Sequence, residues 1–320
     1  MVRNKSALII GTEVATNGLE SGASLRLESI GDLIERQGFS VVTTSRKQSR
    51  KELEKSWDLI VIVSFSTARL LRLARKKTDI LWFDPTDSWT LTRLSLLRSG
   101  DLRHGLLYIR DLFWVWSAPK IDLVTFITRR DAERELGWMR FRAKPLILPV
   151  KELDREVIPS TALRFVFIGD GGYGPNKKAI KFLEETADLL GDSNEIHIYG
   201  KNATSSHANL ISHGFVPRNR LYFSNDIHLA PVTCGAGLKL KVAVPLWNGL
   251  CVVTTPEGAN GFCNSPSLLT ANHPQDFAKL LKLTLAGGAL VQFQKPRSNI
   301  FVDDESLLVE NWLAKRFGQK

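Results

Sequence analysis

Short apolar runs recur through residues 1–150, separated by stretches whose apolar positions fall three or four residues apart. This alternation predicts strands over Ala7–Thr12, Ser40–Ser45, Asp58–Phe65, Ile80–Phe83, Ile121–Thr128 and Pro145–Val150, and a helix over Ser24–Gln37. The runs are apolar on both faces, as strands are when helices cover both sides of a parallel sheet. Six such strands with crossover connections predict a doubly wound sheet. Residues 151–162, which include KELDREVIPST, are polar, contain a proline and have neither period, and so are expected to be a linker. The pattern then restarts over residues 163–303. Strands are predicted at Arg164–Ile168, Glu195–Tyr199, His228–Val232 and Cys251–Thr255, with helices at Lys177–Leu190 and Leu240–Asn248. Residues 304–320 are expected to pack as a terminal helix, whose Leu307, Leu308, Trp312 and Leu313 lie at near-helical spacing, broken by Asn311. The expected fold class is α/β, with two Rossmann-like domains, an N-terminal one over residues 1–150 and a C-terminal one over residues 163–303.

Composition changes this picture little. At 320 residues, 43% hydrophobic and 24% charged, the chain falls in the soluble globular class with two domains. The apolar run in MVRNKSALIIGT is shorter than the 7 to 15 or so residues of a secretory leader, and no run reaches the roughly 20 residues of a membrane span. Cys234, Cys251 and Cys263 have neither zinc-site spacing nor even number and are expected to be free thiols. A cytoplasmic protein is the expectation. Charge is the exception: the net charge is +10, and residues 1–150 hold 25 Lys+Arg against 17 Asp+Glu. A surplus of eight in one half is either a solvated basic face or the footprint of an anionic partner.

Two loops carry candidate chemistry. The turn after the predicted strand Arg164–Ile168 reads IGDGGYGPNKKAIKFL, with Gly169, Gly171, Gly172 and Gly174 leading into a helix. Amides at a helix start can hold phosphate oxygens, and a plain tight turn explains the glycines equally. The second stretch is LAPVTCGAGLKLKVAVPLWNGLCVVTTPEGANGF, from Leu229 to Phe262. Here Gly235 and Gly237 precede a helix that carries Lys239 and Lys241, and the next strand delivers Glu257 toward the same edge of the sheet. Two ammonium groups beside helix-start amides could make an anion site and a carboxylate there could accept from a ribose diol, while an exposed helix face for the lysines and a plain turn for Glu257 are the alternatives.

At these residues the C-terminal half resembles the retaining GT-B glycosyltransferases of the group-one, family 4-like type. FVFIGDGGYGPNKKAIKFL, HGFVPR at residues 213–218 and APVTCGAGLKLKVAVPLWNGLCVVTTPEGANGF follow that family's order over about a hundred residues. In the N-terminal half the resemblance rests on NGLESGASLRLESIGDLIERQGFSV, FDPTDSW and IDLVTFITRRDAEREL. The resemblance implies two Rossmann-like domains facing each other across a cleft, a nucleotide-sugar donor in the C-terminal domain, an acceptor on the N-terminal one, and hexosyl transfer without a metal or further cofactor. Carried onto this chain, it assigns Gly169, Asn176, Lys201, Gly214, Gly237 and Lys241 to the donor. Ala236 and Val244 depart from it, standing where many members carry two glutamates, and Glu257 is the candidate substitute for the lost carboxylates.

In the N-terminal half Asp87 is the candidate catalytic group, with Asp84 beside it. Both follow the predicted strand Ile80–Phe83, where a carboxylate could orient or deprotonate an acceptor hydroxyl, although Asp87 could equally cap the helix starting near Trp89. Gly22 and Arg26 are candidates for the acceptor wall. His104 has no visible partner in the sequence. The stretches RLLRLARKKTD (69–79) and LTRLSLLRSGDLRHGLLYIRDLFWVWSAPK (91–120) mix cations with Leu, Phe and Trp. They fit an anionic membrane surface and a lipid-linked acceptor, or a packed helical insert, since Trp114 and Trp116 are not at helical spacing. Two other function classes stay open, a DNA-modifying glycosyltransferase whose basic half neutralises phosphates, and a non-catalytic GT-B-like binding protein.

Overall fold

A computed structural model describes residues 5–13, 16, 21–98, 103–135, 144–191, 194–217, 220–285 and 300–317. The sequence calls on 17–20 and Arg218, and the side chains of His104 and Trp114, lie outside the described residues. The chain divides into two compact units, residues 1–151 with 303–320, and residues 152–302.

Unit 1 is built on six parallel strands, β1 (Lys5–Gly11), β2 (Phe39–Ser45), β3 (Trp57–Val63), β4 (Thr78–Thr86), β5 (Leu123–Phe126) and β6 (Leu146–Ile147), in the order β2-β1-β3-β4-β5-β6. Its helices are α1 (Gly22–Arg36), α2 (Ser49–Glu52), α3 (Leu71–Arg75), α4 (Trp89–Arg98), α5 (Arg103–Trp116) and α6 (Arg129–Arg134), with a 3-10 turn over Phe65–Leu70. Alternate residues of the central strands enter different cores. Leu8, Ile60 and Phe83 pack on one face, and Ile9, Val61 and Trp82 on the other. The α1 helix starts at Ser21, whose hydroxyl accepts from the Ser24 amide while the Ser24 hydroxyl accepts from the Ser21 amide. Its apolar face lies so close to β1 that a Cβ on Gly11 would come within 2.6 Å of Leu27.

The chain's last helix, α10 (Ser306–Phe317), completes unit 1. Val309 and Leu313 are fully buried among Ile9, Leu33 and Phe39, and Arg129 holds the helix start through Asp303 (2.9 Å) and Glu305 (2.8 Å). Leu307 and Leu308 point outward, so the spacing argument built on them is corrected: the buried positions are Val309 and Leu313, with Trp312 partly buried against the same core.

Unit 2 has strands β7 (Arg164–Ile168), β8 (Ile196–Tyr199), β9 (Leu210–Gly214), β10 (Asp226–Ala230), β11 (Cys251–Thr254) and β12 (Leu268–Thr270), and helices α7 (Gly174–Leu190), α8 (Leu240–Trp247) and α9 (Pro274–Leu285). All six strands are parallel in the order β12-β11-β10-β7-β8-β9, so the direction of winding reverses between β7 and β10. Phe167, Leu183, Ile227, Leu229 and Phe277 form the core under α7 and α9. The segment after the unit boundary is bound into unit 2: Asn248 accepts from the Arg155 amide (2.7 Å) and donates to the Leu153 carbonyl (3.1 Å).

His228, in the middle of β10, is buried with Nε2 lacking a hydrogen-bond partner among the described residues. Burial, reinforced by Arg164, pushes it down from 6.5 to about 3. The unfolded chain therefore binds a proton that the folded chain refuses between those values. Stability should be full above pH 6.5 and fall toward pH 3, by up to roughly 5 kcal/mol from this group. Urea unfolding of the wild type and His228→Leu across that range checks it: the wild type should lose stability relative to the variant as acid is added, and parallel curves would contradict the assignment.

Candidate functional site

The carboxyl ends of β7 and β10, where the winding reverses, are the place at which a sheet of this order receives ligands. The chain leaves β7 into α7 and leaves β10 into α8, and the two helix starts meet. Lys241, in the first turn of α8, donates from Nζ to Oδ1 of Asn176 (2.5 Å) in the first turn of α7. Its ammonium also lies 5.0 Å from the centre of the Phe167 ring, near the end of β7. Burial, with the Lys239 ammonium nearby, pushes the Lys241 amine down from 10.5 to about 8. The result is a cation held at the positive ends of two helices, an arrangement that repels protons and attracts anions.

Asn176 is positioned by its own loop, since Nδ2 donates to the Asp170 carbonyl (2.8 Å). Gly169 makes room for it, because a Cβ there would lie 2.8 Å from Asn176 Nδ2. The other glycines of this turn serve a different end from the one suggested by their richness. The amide of Gly169 goes to the Tyr199 carbonyl, Gly171 to the Lys201 carbonyl, Gly172 to Asp170 Oδ1 and Tyr173 to the Asp170 carbonyl. A Cβ on Gly171 would sit 1.8 Å from the Asn202 carbonyl oxygen, so that glycine lets two loops touch. These four amides are taken up within the turn, as the tight-turn reading of the glycines expects.

The loop after β10 is also glycine-bearing. Gly235 and Gly237 adopt left-handed backbone (φ 118° and 71°), and Lys239 folds back to donate to the carbonyls of Ala236 (2.8 Å) and Gly237 (2.7 Å). Lys239, at the N-cap of α8, makes no side-chain capping bond to the helix. Lys239 thus braces the loop, while Lys241 faces the junction. Val244 is buried along α8, in a run with Val242 and Ala243. A glutamate at that position would have to enter an apolar setting.

Glu257 follows β11, the strand next to β10, in a turn fastened by Thr255, whose hydroxyl donates to the Val232 carbonyl and accepts from the Gly258 amide (3.1 Å). Glu257 is half-buried. Lys201 is exposed after β8, and Gly214 ends β9 with φ 66°, its carbonyl accepting from Gly200 (2.8 Å). The structure thus brings Gly169, Asn176 and Lys241 together, sets Gly237 and Glu257 on the adjoining loops of the β10 side, and leaves Lys201 and Gly214 on the β8–β9 side. Phe167, beneath the lysine, was missed because an aromatic residue in a strand reads as core.

In unit 1 the placement of Arg26 and Asp84 at an acceptor is corrected. Both side chains are fully buried and paired with each other. Arg26 Nε donates to Asp84 Oδ1 (3.1 Å) and Nη2 to Oδ2, while Nη1 donates to the carbonyls of Leu148 and Pro149. Asp84 also accepts from the Thr125 hydroxyl, which in turn accepts from Trp82 Nε1 (2.8 Å). A pair without solvent access cannot meet a hydroxyl substrate.

Asp87 is half-buried on the loop that follows β4. Ser88 caps α4, accepting from the Leu91 amide (3.1 Å), so the capping role considered for Asp87 belongs to its neighbour. Thr86, directly before Asp87, has φ 76°, a conformation that costs a β-branched residue about 1–3 kcal/mol. The loop is held on both sides of Asp87, by Ile127 N–H to the Thr86 carbonyl (2.9 Å) and Ser88 N–H to Asp131 (3.2 Å). Gly22 is exposed at the first turn of α1.

No sequence-family model matches the chain, and no curated protein matches it by sequence. Solved structures do. A lipopolysaccharide outer core galactosyltransferase, WaaB, in its apo form is 12% identical over 98% of this chain and 95% of its own, with a TM-score of 0.52. The glycotransferase of kitacinnamycin is 13% identical over 98% of this chain and 99% of its own, also at 0.52. TarM from S. aureus, in complex with Fondaparinux, alpha-GlcNAc-glycerol and UDP, is 11% identical over 85% of this chain and 55% of its own, at 0.51. With two α/β units and two six-stranded parallel sheets, the chain has the GT-B glycosyltransferase fold.

Proposed function

We propose that the protein is a glycosyltransferase that moves a hexosyl group from a nucleotide-sugar to an acceptor, without a metal ion. The observation that carries the reading is the Lys241–Asn176 contact joining the two helix starts at the winding reversal of unit 2. A diphosphate at that point would find a positive charge already in place as the leaving group develops negative charge. Gly237 and the loop around it would meet the phosphates, and Glu257 would accept from the ribose. Lys201, Gly214 and Gly169 would line the donor's approach. The UDP bound by TarM supports a nucleoside diphosphate as the class of ligand. Asp87 is proposed to orient or deprotonate the acceptor hydroxyl, and Gly22 to border it; the tethered backbone around Asp87 supports this. Retaining stereochemistry, and a lipid-linked or otherwise anionic acceptor in glycan synthesis, belong to the same proposal.

The test is a screen of UDP-, GDP-, TDP- and ADP-sugars by thermal shift together with donor hydrolysis. One donor should raise the midpoint and be hydrolysed slowly, and Asp87→Asn should keep the shift while lowering transfer by about 100-fold or more. A shift with no turnover on a broad acceptor panel favours a second reading, a nucleotide-sugar-binding protein without catalysis, for which Ala236 and the buried Val244 speak. No shift with any donor contradicts both.

A further inference from the structure

The apolar residues of α5 are on its outside. Leu106, Ile109, Phe113 and Trp116 are 75%, 65%, 66% and 60% exposed, and their spacing of three, four and three residues puts them on one face. Single exposed apolar side chains are ordinary, whereas four large ones in a row on one helix are not. The helix itself is seated against α4 and the 3-10 turn Phe65–Leu70. Arg72 Nε donates to the Ser117 carbonyl (2.7 Å), which brings α3 alongside the end of α5. Exposed Arg69, Arg72 and Lys76 therefore border the stripe, with Leu73 among them, and Arg110 and Lys120 are exposed on α5 and just beyond it. Residues 65–77 contain no Asp or Glu.

We propose that this face of unit 1 docks on a membrane rich in anionic phospholipid, with α5 lying in the interface plane. The apolar stripe would enter the boundary between headgroups and acyl chains, and the flanking guanidinium and ammonium groups would meet the phosphates. A second copy of the chain fits the same face less well. A two-fold contact sets a patch against itself, and this patch would bring cations against cations. The docking lies on the surface only, since no helix among the described residues is long and apolar enough to cross a membrane. The proposal rests on unit 1 alone and is independent of the donor site in unit 2.

Co-sedimentation with vesicles tests it, using phosphatidylcholine alone and phosphatidylcholine with about 30% phosphatidylglycerol. The full chain should pellet with the anionic vesicles, and the bound fraction should drop about tenfold on the neutral ones and in salt at about 0.5 M. Ile109→Ser with Phe113→Ser, and separately Arg69→Glu with Lys76→Glu, should each remove most of the binding. Their thermal midpoints should match the wild type because the substituted side chains are exposed. Wild type remaining in the supernatant, or both variants pelleting undiminished, overturns the proposal. So does a concentration-dependent dimer, seen by light scattering, that the stripe variant abolishes.

Discussion

Lys241→Met should abolish the nucleotide-sugar response while making the unliganded protein more stable. The amine is pushed from 10.5 down to about 8 by burial, so at neutral pH the folded state carries the cost of keeping a charge poorly hydrated. Because the folded value is the lower one, the wild type should gain stability as pH rises from 8 to 10.5, where the unfolded chain still binds the proton. Removing the charge should recover about 2 kcal/mol at pH 7, with methionine filling the space over Phe167. Transfer should fall by about 100- to 1,000-fold, since the cation acts where the diphosphate leaves. Thermal melts with and without donor, and initial rates, measure both sides. A residue kept only for the fold would show loss of stability instead.

The second large effect lies in unit 1. Asp84→Leu should destabilise the protein by about 3–5 kcal/mol, because it leaves the Arg26 guanidinium buried without its carboxylate. The partner variant Arg26→Met should also be destabilising, and the double variant should recover part of the loss, since no charge is then left unpaired although the Leu148 and Pro149 carbonyls and the Thr125 hydroxyl each lose a partner. Urea unfolding of the four proteins forms the cycle. Additive losses in the double variant would contradict the pairing. The outcome also separates structure from catalysis: the double variant, once folded, should retain donor binding.

Much of the fold is legible in the sequence for a simple reason. Strands buried on both faces, such as Leu59–Val63 and Ala7–Ile10, read as unbroken apolar runs, and the predicted elements of both halves fall within a few residues of those observed. The strands that went unread are of another kind. LISHG of β9 has a polar, exposed outer half at the edge of the sheet, and LLT of β12 is three residues long. The helix α9, with Phe277 and Leu281 inward, carries an amphipathic pattern of its own.

The site divides in the same way. Lys241 could be placed at a helix start from the glycines before it, yet its partner Asn176 stands 65 residues away and only the sheet order brings them together. Arg26 and Asp84 illustrate the reverse. Charged residues beside a predicted strand and helix suggest a surface, and nothing local reveals that each is the other's counter-ion across 58 residues. Glycine richness alone leaves both readings open at Gly171, because close approach of two backbones demands the same residue as phosphate contact does.

Calorimetric titration with a nucleoside diphosphate at about pH 8.5, in two buffers of different ionisation enthalpy, measures the anion-gripping role of Lys241 most directly. At that pH the amine is largely neutral in the unliganded protein, and a diphosphate beside it should pull a proton on. The account predicts a buffer-dependent binding enthalpy corresponding to uptake of a substantial fraction of one proton, lost in Lys241→Met. Equal enthalpies in the two buffers, with tight binding retained in the variant, would contradict it.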